Sequence, residues 1–157
     1  MTIKPKLIVF LLIIILPLYL TSCKKSKNDV IPTVNVDFYI SINDPQFFNL
    51  QAPFTYAYID ATTNNIGQAA SGYDGNGIII FNSANEYYAY DRTCPHDYEV
   101  NKKSVKVNVD GILAVCPSCG TKYALTSNGT PYSGVGQYPL KNYRTSFNGL
   151  YIHVYNY

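Results

Sequence analysis

The stretch VKVNVDGILAVCPSCG, residues 105–120, carries a strand, a turn and a second strand that ends in two cysteines. Its valines at 105–109 alternate with polar residues, the pattern of a strand with one buried face. An Asp-Gly pair then supplies a two-residue hairpin turn, and 112–115 form the returning strand. The sequence therefore predicts a β-hairpin that places Cys116 and Cys119 directly after a strand end.

The remainder of the chain also has the pattern of short strands. Sixteen tyrosines and frequent turns of Gly, Asn and Asp are typical of an all-β protein. A 3.6-residue apolar period of useful length is missing after Cys23, so we expect little helix. Further strands are predicted at 34–38, 55–59, 78–81, 86–91, 123–125, 143–147 and 150–157.

The first residues have the features of a secretory signal. Lys4 and Lys6 precede an unbroken apolar run at 7–16, which Pro17 interrupts. This run is shorter than the roughly 18–20 apolar residues that a membrane-spanning helix needs. A cleaved signal peptide is therefore favoured over the alternative, an uncleaved anchor helix.

The signal ends in Leu-Thr-Ser-Cys at 20–23, which resembles the bacterial lipobox. The resemblance implies that Cys23 carries a diacylglycerol, and two or three acyl chains would hold the protein firmly at a membrane surface. We expect a cell-envelope location, at the outer membrane or the periplasmic face. The predicted divisions are a signal peptide at 1–22, a lipid-anchored linker at 23–31 and one domain at 32–157.

The charge balance of this chain argues against nucleic acid as a partner. Without Lys4 and Lys6, ten basic residues balance ten acidic ones, and the sequence contains no basic stripe. The partner that the sequence does predict is a membrane, which the lipid on Cys23 would enter.

The cysteine count indicates a metal site. With Cys23 used by the lipid, Cys94, Cys116 and Cys119 remain, and three thiols cannot all form disulfides with one another. Together with His96 they make a complete four-ligand set. Both pairs follow directly after predicted strands, so a bound metal would join two loops.

These two loops resemble the Rieske [2Fe–2S] pattern, C-x-H followed by C-x-x-H-G. Here Cys94-Pro95-His96 is followed after nineteen residues by Cys116-Pro117-Ser118-Cys119-Gly120, with cysteine in place of the second histidine. The segment at 134–140 is similar to the Gly-Pro loop of that family, although valine stands in the proline's place. The likeness spans 34–157. It implies a Rieske-like antiparallel β-sandwich with a small two-loop metal-binding subdomain at about 92–124.

The resemblance also implies roles for individual residues. Cys94 and Cys116 would hold one iron, while His96 and Cys119 would hold the other. Thr121 and Tyr123 would donate hydrogen bonds to sulfur. A third thiolate adds negative charge, so we expect a potential below the Rieske range of roughly −150 to +300 mV, toward about −400 mV.

The expected function is one-electron transfer by a lipid-anchored carrier that serves an unidentified redox protein partner and is not itself an enzyme. Two alternatives stay open, because Zn²⁺ accepts the same Cys3His set and a disulfide could form either between Cys116 and Cys119 or across the two loops. Either would make the chain a non-redox envelope binding module. A leader without arginine favours these alternatives, since it lacks the twin-arginine signal that is typical of proteins exported with a preassembled cluster.

Other polar residues are predicted to have ordinary roles. Alternation places His153 on the surface of a strand beside tyrosines, which favours an ordinary surface position over a role as a replacement ligand. Asp91, Arg92 and Asp97 flank the first loop, where turn chemistry or a surface ion pair accounts for them.

Overall fold

The computed structural model describes residues 28–67, 70–84 and 86–156. Cys23 and the predicted signal peptide lie outside the described residues. Among those described, no helix is long and apolar enough to cross a membrane. The elements are β1 (Asp37–Ser41), β2 (Tyr56–Ile59), β3 (Ile66–Gly67), β4 (Ile78–Asn82), β5 (Tyr87–Asp91), α1 (Pro95–Asn101), β6 (Asn108–Asp110), β7 (Leu113–Val115), β8 (Lys122–Ala124), β9 (Thr130–Ser133), β10 (Asn142–Phe147) and β11 (Tyr151–Tyr155).

The strands form two antiparallel sheets. The large sheet has seven strands in the order β2-β4-β5-β10-β11-β1-β3, and the small sheet has four in the order β6-β7-β8-β9. All the strand pairs are antiparallel. The prediction of an all-β domain with a small metal-site subdomain is therefore confirmed at the level of fold class.

The large sheet curls around an apolar core, which we call the large core. Strands from the middle and from near both ends of the strand order contribute side chains to it, so the sheet must wrap around them. Burial of one such aliphatic or aromatic side chain contributes about 1.5–3 kcal/mol. Its buried members are Val36, Phe38, Ile40, Phe47, Leu50, Ala57, Ile59, Ala70, Ile78, Ile80, Ala89, Tyr143, Ile152 and Val154.

A second apolar cluster, which we call the site core, lies between β4–β5 and the small sheet. Successive strand residues point to opposite faces, so Ile78 and Ile80 enter the large core while Ile79 and Phe81 enter the site core. Burial of β4 on both faces explains why its apolar run does not alternate. The buried members of the site core are Ile79, Phe81, Tyr90, Cys94, Val107, Ala114, Cys116, Tyr123, Leu125 and Leu140.

The first ligand loop contains a short helix that the periodicity did not predict. Helix α1 begins directly after Cys94, with Pro95 at its first position, where the fixed φ of proline suits a helix. It ends at Asn101, and the next residue, Lys102, has a φ of 54° in the left-handed region. Seven residues are too few to display a 3.6-residue period, so the sequence indicated a tight turn here instead.

Residues 28–31, which the sequence places in the linker, pack on the domain. The side-chain amide of Asn28 donates a hydrogen bond to the carbonyl of Pro139 at 2.6 Å. Ile31 is buried, and its carbonyl accepts a hydrogen bond from Lys141 Nζ at 2.8 Å. Packing of the domain therefore includes residues on the N-terminal side of position 32.

Candidate metal centre

The two ligand loops are held in place by backbone hydrogen bonds. The amide of Cys94 donates to the carbonyl of Val105 at 2.8 Å, which ties the start of the first loop to the segment that leads into β6. In the second loop, Cys116 N–H donates to Thr121 O at 2.9 Å and Gly120 N–H donates to Cys116 O at 3.0 Å. Gly120 has a φ of 71°, a conformation that glycine adopts without strain. The cysteines are therefore presented by fixed backbone.

Asp91 fixes the strand end that leads to Cys94. It is fully buried, and its carboxylate accepts hydrogen bonds from Thr93 N–H, Tyr73 N–H and the Tyr143 hydroxyl at 2.7–2.8 Å. Arg92 lies over the ring of Tyr58, with its guanidinium carbon 3.7 Å from the ring centroid. The surface-pair alternative is wrong for Asp91, because its carboxylate is buried, whereas its bond to Thr93 N–H, two residues along the chain, is the predicted turn chemistry.

Four potential ligand atoms converge at the tips of the two loops. One atom from each of Cys94, Asp97, Cys116 and Cys119 lies within 4.8 Å of the others. The three cysteines are free thiols, and Cys94 Sγ lies 3.7 Å from Cys119 Sγ, whereas a disulfide bond is about 2.05 Å long. Three of the four predicted ligands are thus brought together, with Asp97 as the fourth member of the group.

Asp97 is the member of the converging group that the sequence did not predict. Its side chain is 3% exposed, so the interpretation as a turn or surface residue is wrong. The thiol of Cys116 donates a hydrogen bond to Asp97 Oδ2 at 2.9 Å, and the Ser118 hydroxyl donates to Oδ1 at 2.9 Å. A signal was present in the sequence, since Cys94-x2-Asp97 repeats the spacing of Cys116-x2-Cys119.

His96 is not a member of the converging group. It occupies the helical position directly before Asp97, and successive helical residues point about 100° apart around the axis. The two side chains therefore leave α1 in different directions, and that of Asp97 meets the thiols. Ligation by His96 stays a prediction of the sequence resemblance.

Two hydroxyl groups contact the sulfurs. Tyr123 OH lies 3.4 Å from Cys94 Sγ, and Thr121 Oγ1 lies 3.2 Å from Cys119 Sγ. Thr121 Oγ1 also accepts a hydrogen bond from the amide of Gly136 at 3.0 Å, which connects the 134–140 loop to the site. These are the two residues named from the resemblance, although their action on a bound metal stays a prediction.

The contacts within the group shift the pKa values of its four acidic side chains in different directions. The hydrogen bond with Cys116 lowers the pKa of Cys94 to about 6, and the same contact, together with burial and Asp97, raises the pKa of Cys116. Burial raises the pKa of Cys119. Burial opposes ionisation of Asp97, but hydrogen bonds from Cys116 and its neighbours outweigh it and lower that pKa. Cys94 is therefore the thiol whose ionisation these contacts favour, and a cation bound in the pocket would favour the charged forms of both Cys94 and Asp97.

The donor set suits iron or zinc, and its spacing suits one ion. Thiolates are the preferred ligands of zinc and of iron–sulfur centres. A metal–sulfur bond of about 2.3 Å gives a tetrahedron with sulfur–sulfur edges of about 3.8 Å, and Cys94 and Cys119 are 3.7 Å apart. In a two-iron cluster, sulfur ligands bound to different irons would lie farther apart than the 3.7 Å between Cys94 Sγ and Cys119 Sγ. The predicted [2Fe–2S] cluster therefore does not fit this arrangement unless the loops move apart.

Comparisons with known proteins give likenesses of structure. The sequence matches no model of a known protein family and no curated protein. A chain from the complex of reduced oxygenase and oxidized ferredoxin in carbazole 1,9a-dioxygenase is 19% identical, with a TM-score of 0.43, over 66% of this chain and 82% of that one. The ferredoxin of carbazole 1,9a-dioxygenase from Nocardioides aromaticivorans IC177 is 14% identical, with a TM-score of 0.46, over 80% and 100%.

His153, the second histidine of the sequence, lies away from the converging group in strand β11 of the large sheet. Its Nε2 is 2.7 Å from Asp37 Oδ1, and its ring stacks on Tyr39 with the centroids 4.0 Å apart. The prediction that it lies on a strand among tyrosines is confirmed.

Proposed function

We propose that this chain is a one-electron carrier of the cell envelope whose redox centre is iron held at the thiol site. The observation that carries the proposal is the convergence of three thiols beneath two hydroxyl groups that contact sulfur. Iron bound by thiolates supplies one-electron chemistry, and hydrogen bonds to the sulfurs adjust its potential. Thr121 and Tyr123 would perform that adjustment here.

The placement of the site supports electron transfer to another protein. Cys94 and Cys116 are buried, whereas the neighbouring Pro117 and Gly120 are exposed. The nearby Val135, in the loop that contacts Thr121, is 57% exposed. A metal at the thiols would thus be shielded from water yet close to the surface, where a redox partner can dock. We expect that partner to be a separate redox protein.

Metal analysis and electrochemistry test the proposal. We expect the full-length chain, purified anaerobically, to contain iron, to give an EPR signal in one of its two redox states and to show a reversible one-electron wave. Cys116→Ser should remove the wave, while Ser146→Ala, an exposed substitution in the large sheet, should keep it. A colourless protein that contains zinc and shows no wave would contradict electron transfer.

One observation favours a second candidate function, a redox-inert binding module in which a zinc ion joins the two ligand loops. The spacing of the quartet matches a single tetrahedral ion, and zinc forms closed four-coordinate sites of this kind in structural roles. Such an ion would tie α1 to the small sheet and stabilise the loops without exchanging electrons. The same metal analysis separates the two candidates, because zinc alone supports the module and iron supports the carrier.

Attachment to a membrane through Cys23 is part of the proposal and rests on the lipobox-like sequence alone. We expect mass spectrometry of the wild-type chain from the membrane fraction to show a diacylglycerol-modified N-terminus at Cys23, and Cys23→Ala to lack that modification. Recovery of the unmodified wild-type chain in the soluble fraction would contradict the anchor.

A further inference from the structure

We propose that the site binds one tetrahedral metal ion through the thiolates of Cys94, Cys116 and Cys119 and the carboxylate of Asp97. His96 is not a ligand in this arrangement, and a two-iron cluster does not form. The inference concerns the metal site of the proposed function and deepens it by naming the fourth ligand and the number of ions. It applies to zinc and to iron, since both accept tetrahedral thiolate-rich coordination.

The first support is the spacing of the four residues in the sequence. Cys94 and Asp97 are separated by two residues, as are Cys116 and Cys119, and eighteen residues lie between the pairs. Paired C-x2-C segments separated by 15–20 residues are the pattern of single-ion zinc sites. Here aspartate takes one of the four cysteine positions. Carboxylate oxygen is an accepted zinc ligand at about 2.0–2.2 Å.

The second support is the compactness of the group. All four ligand atoms lie within 4.8 Å of one another, and three of the four residues are buried. In a two-iron cluster, ligands of different irons face away from each other across the bridging sulfides. The resemblance assigns Cys94 and Cys119 to different irons, yet their sulfurs are 3.7 Å apart, close to one tetrahedral edge.

The third support is the orientation of the Asp97 carboxylate. Ser118 Oγ donates a hydrogen bond to Oδ1 at 2.9 Å, so this oxygen already has a protein partner. Oδ2 accepts the hydrogen bond from the Cys116 thiol at 2.9 Å. When an ion enters, it takes the place of that thiol proton, which is released to solvent, and both Oδ2 and the sulfur become ligands. Ser118 thus serves as a positioning residue for Asp97.

Metal stoichiometry and X-ray absorption spectroscopy test the coordination directly. We expect the full-length chain loaded with either Zn²⁺ or Fe²⁺ to bind one ion per chain, to contain no acid-labile sulfide and to show three sulfur neighbours and one light-atom neighbour. Two irons with two sulfides per chain would overturn the inference. So would the failure of both ions to bind.

Three variants identify the fourth ligand. Asp97→Asn should weaken metal binding at least about tenfold, since loss of even an outer-shell partner commonly costs 10–100-fold. Asp97→Cys should keep one ion and change the X-ray absorption pattern to four sulfur neighbours, which also shows that the chain tolerates substitution at 97. His96→Ala, the adjacent control, should leave affinity unchanged. Loss of the ion in His96→Ala, with retention in Asp97→Asn, would overturn the assignment.

The outcomes for the two proposals are separable. One zinc ion on the predicted ligands with no redox wave would contradict electron transfer and leave the ligand assignment standing. A reversible wave from a two-iron cluster would contradict the assignment and leave electron transfer standing.

Discussion

The large core and the site core share strand β4 but are built on different principles. The large core consists of aliphatic and aromatic side chains from six strands and from the segments beside them, and Tyr143 is its one buried member with a polar side-chain atom. The site core contains two cysteines and two fully buried tyrosines, each with a specific partner. Hydrophobic burial is non-directional and scales with area. Hydrogen bonds and metal ligation require fixed geometry. We therefore expect metal removal and small displacements of the backbone to affect the site core more than the large core.

The clearest way to weaken the large core alone is Phe38→Ala. Phe38 is fully buried there, and removing its ring should lower the free energy of unfolding by about 3–5 kcal/mol in urea titration. Metal bound per folded chain should not change. Phe48→Ala, at a side chain that is 63% exposed, is the matched control and should change stability by less than about 0.5 kcal/mol. Equal effects of the two variants would contradict the placement of this core.

Removal of the metal should act on the site core alone. Free metal at 100 times its dissociation constant stabilises a folded state by about 2.7 kcal/mol, and chelation removes that contribution. In amide hydrogen exchange we expect faster exchange at Cys116 and Gly120, whose amides close the second loop. The amides of Ile152 and Val154 in the large sheet should keep their rates. Uniform acceleration across both sheets would show that the two cores unfold as one unit.

A pair of glycine variants separates crowding near the site from backbone strain. Gly134 and Gly149 have similar φ values, 100° and 94°, but a Cβ at Gly134 would lie 2.7 Å from Thr121 Cα, whereas Gly149 has open space. Gly134→Ala should therefore cost about 1–3 kcal/mol more than Gly149→Ala in thermal unfolding. It should also weaken metal binding, because it displaces the segment that carries Thr121. Equal costs for the two variants would contradict this close contact.

The smallest expected effect concerns alkaline pH. Burial raises the pKa of Tyr90, whose hydroxyl donates to Leu125 O at 2.8 Å. In the unfolded chain tyrosine loses its proton near pH 10, so the stabilisation is complete below that pH and is lost as pH rises above it. Above pH 10, the free energy of unfolding of Tyr90→Phe should therefore fall less steeply than that of the wild type, by about 1.4 kcal/mol per pH unit. Tyr132→Phe, at a side chain 70% exposed, should keep the wild-type slope.

Most strands were predictable because their signals are local. The predicted segments at 55–59, 78–81 and 86–91 correspond to β2, β4 and β5 within one residue at each end. Strands β3 and β9 were missed, since the first has two residues and the second contains Pro131 among polar residues. The 34–38 segment begins too early because pairing with β11 starts at Asp37. Turn placement was off by one, since Asp110 pairs with Leu113 and leaves Gly111 and Ile112 in the turn.

The sequence by itself determined the all-β class and the delivery of cysteines to two strand ends, because strand alternation and turn residues act over a few neighbouring positions. Only the tertiary structure decided that Asp97 rather than His96 meets the thiols and that β4 is buried on both faces. Both outcomes depend on contacts between segments far apart in the chain. The rotation of α1 against the small sheet, which local patterns do not encode, brings the Asp97 carboxylate to the thiols.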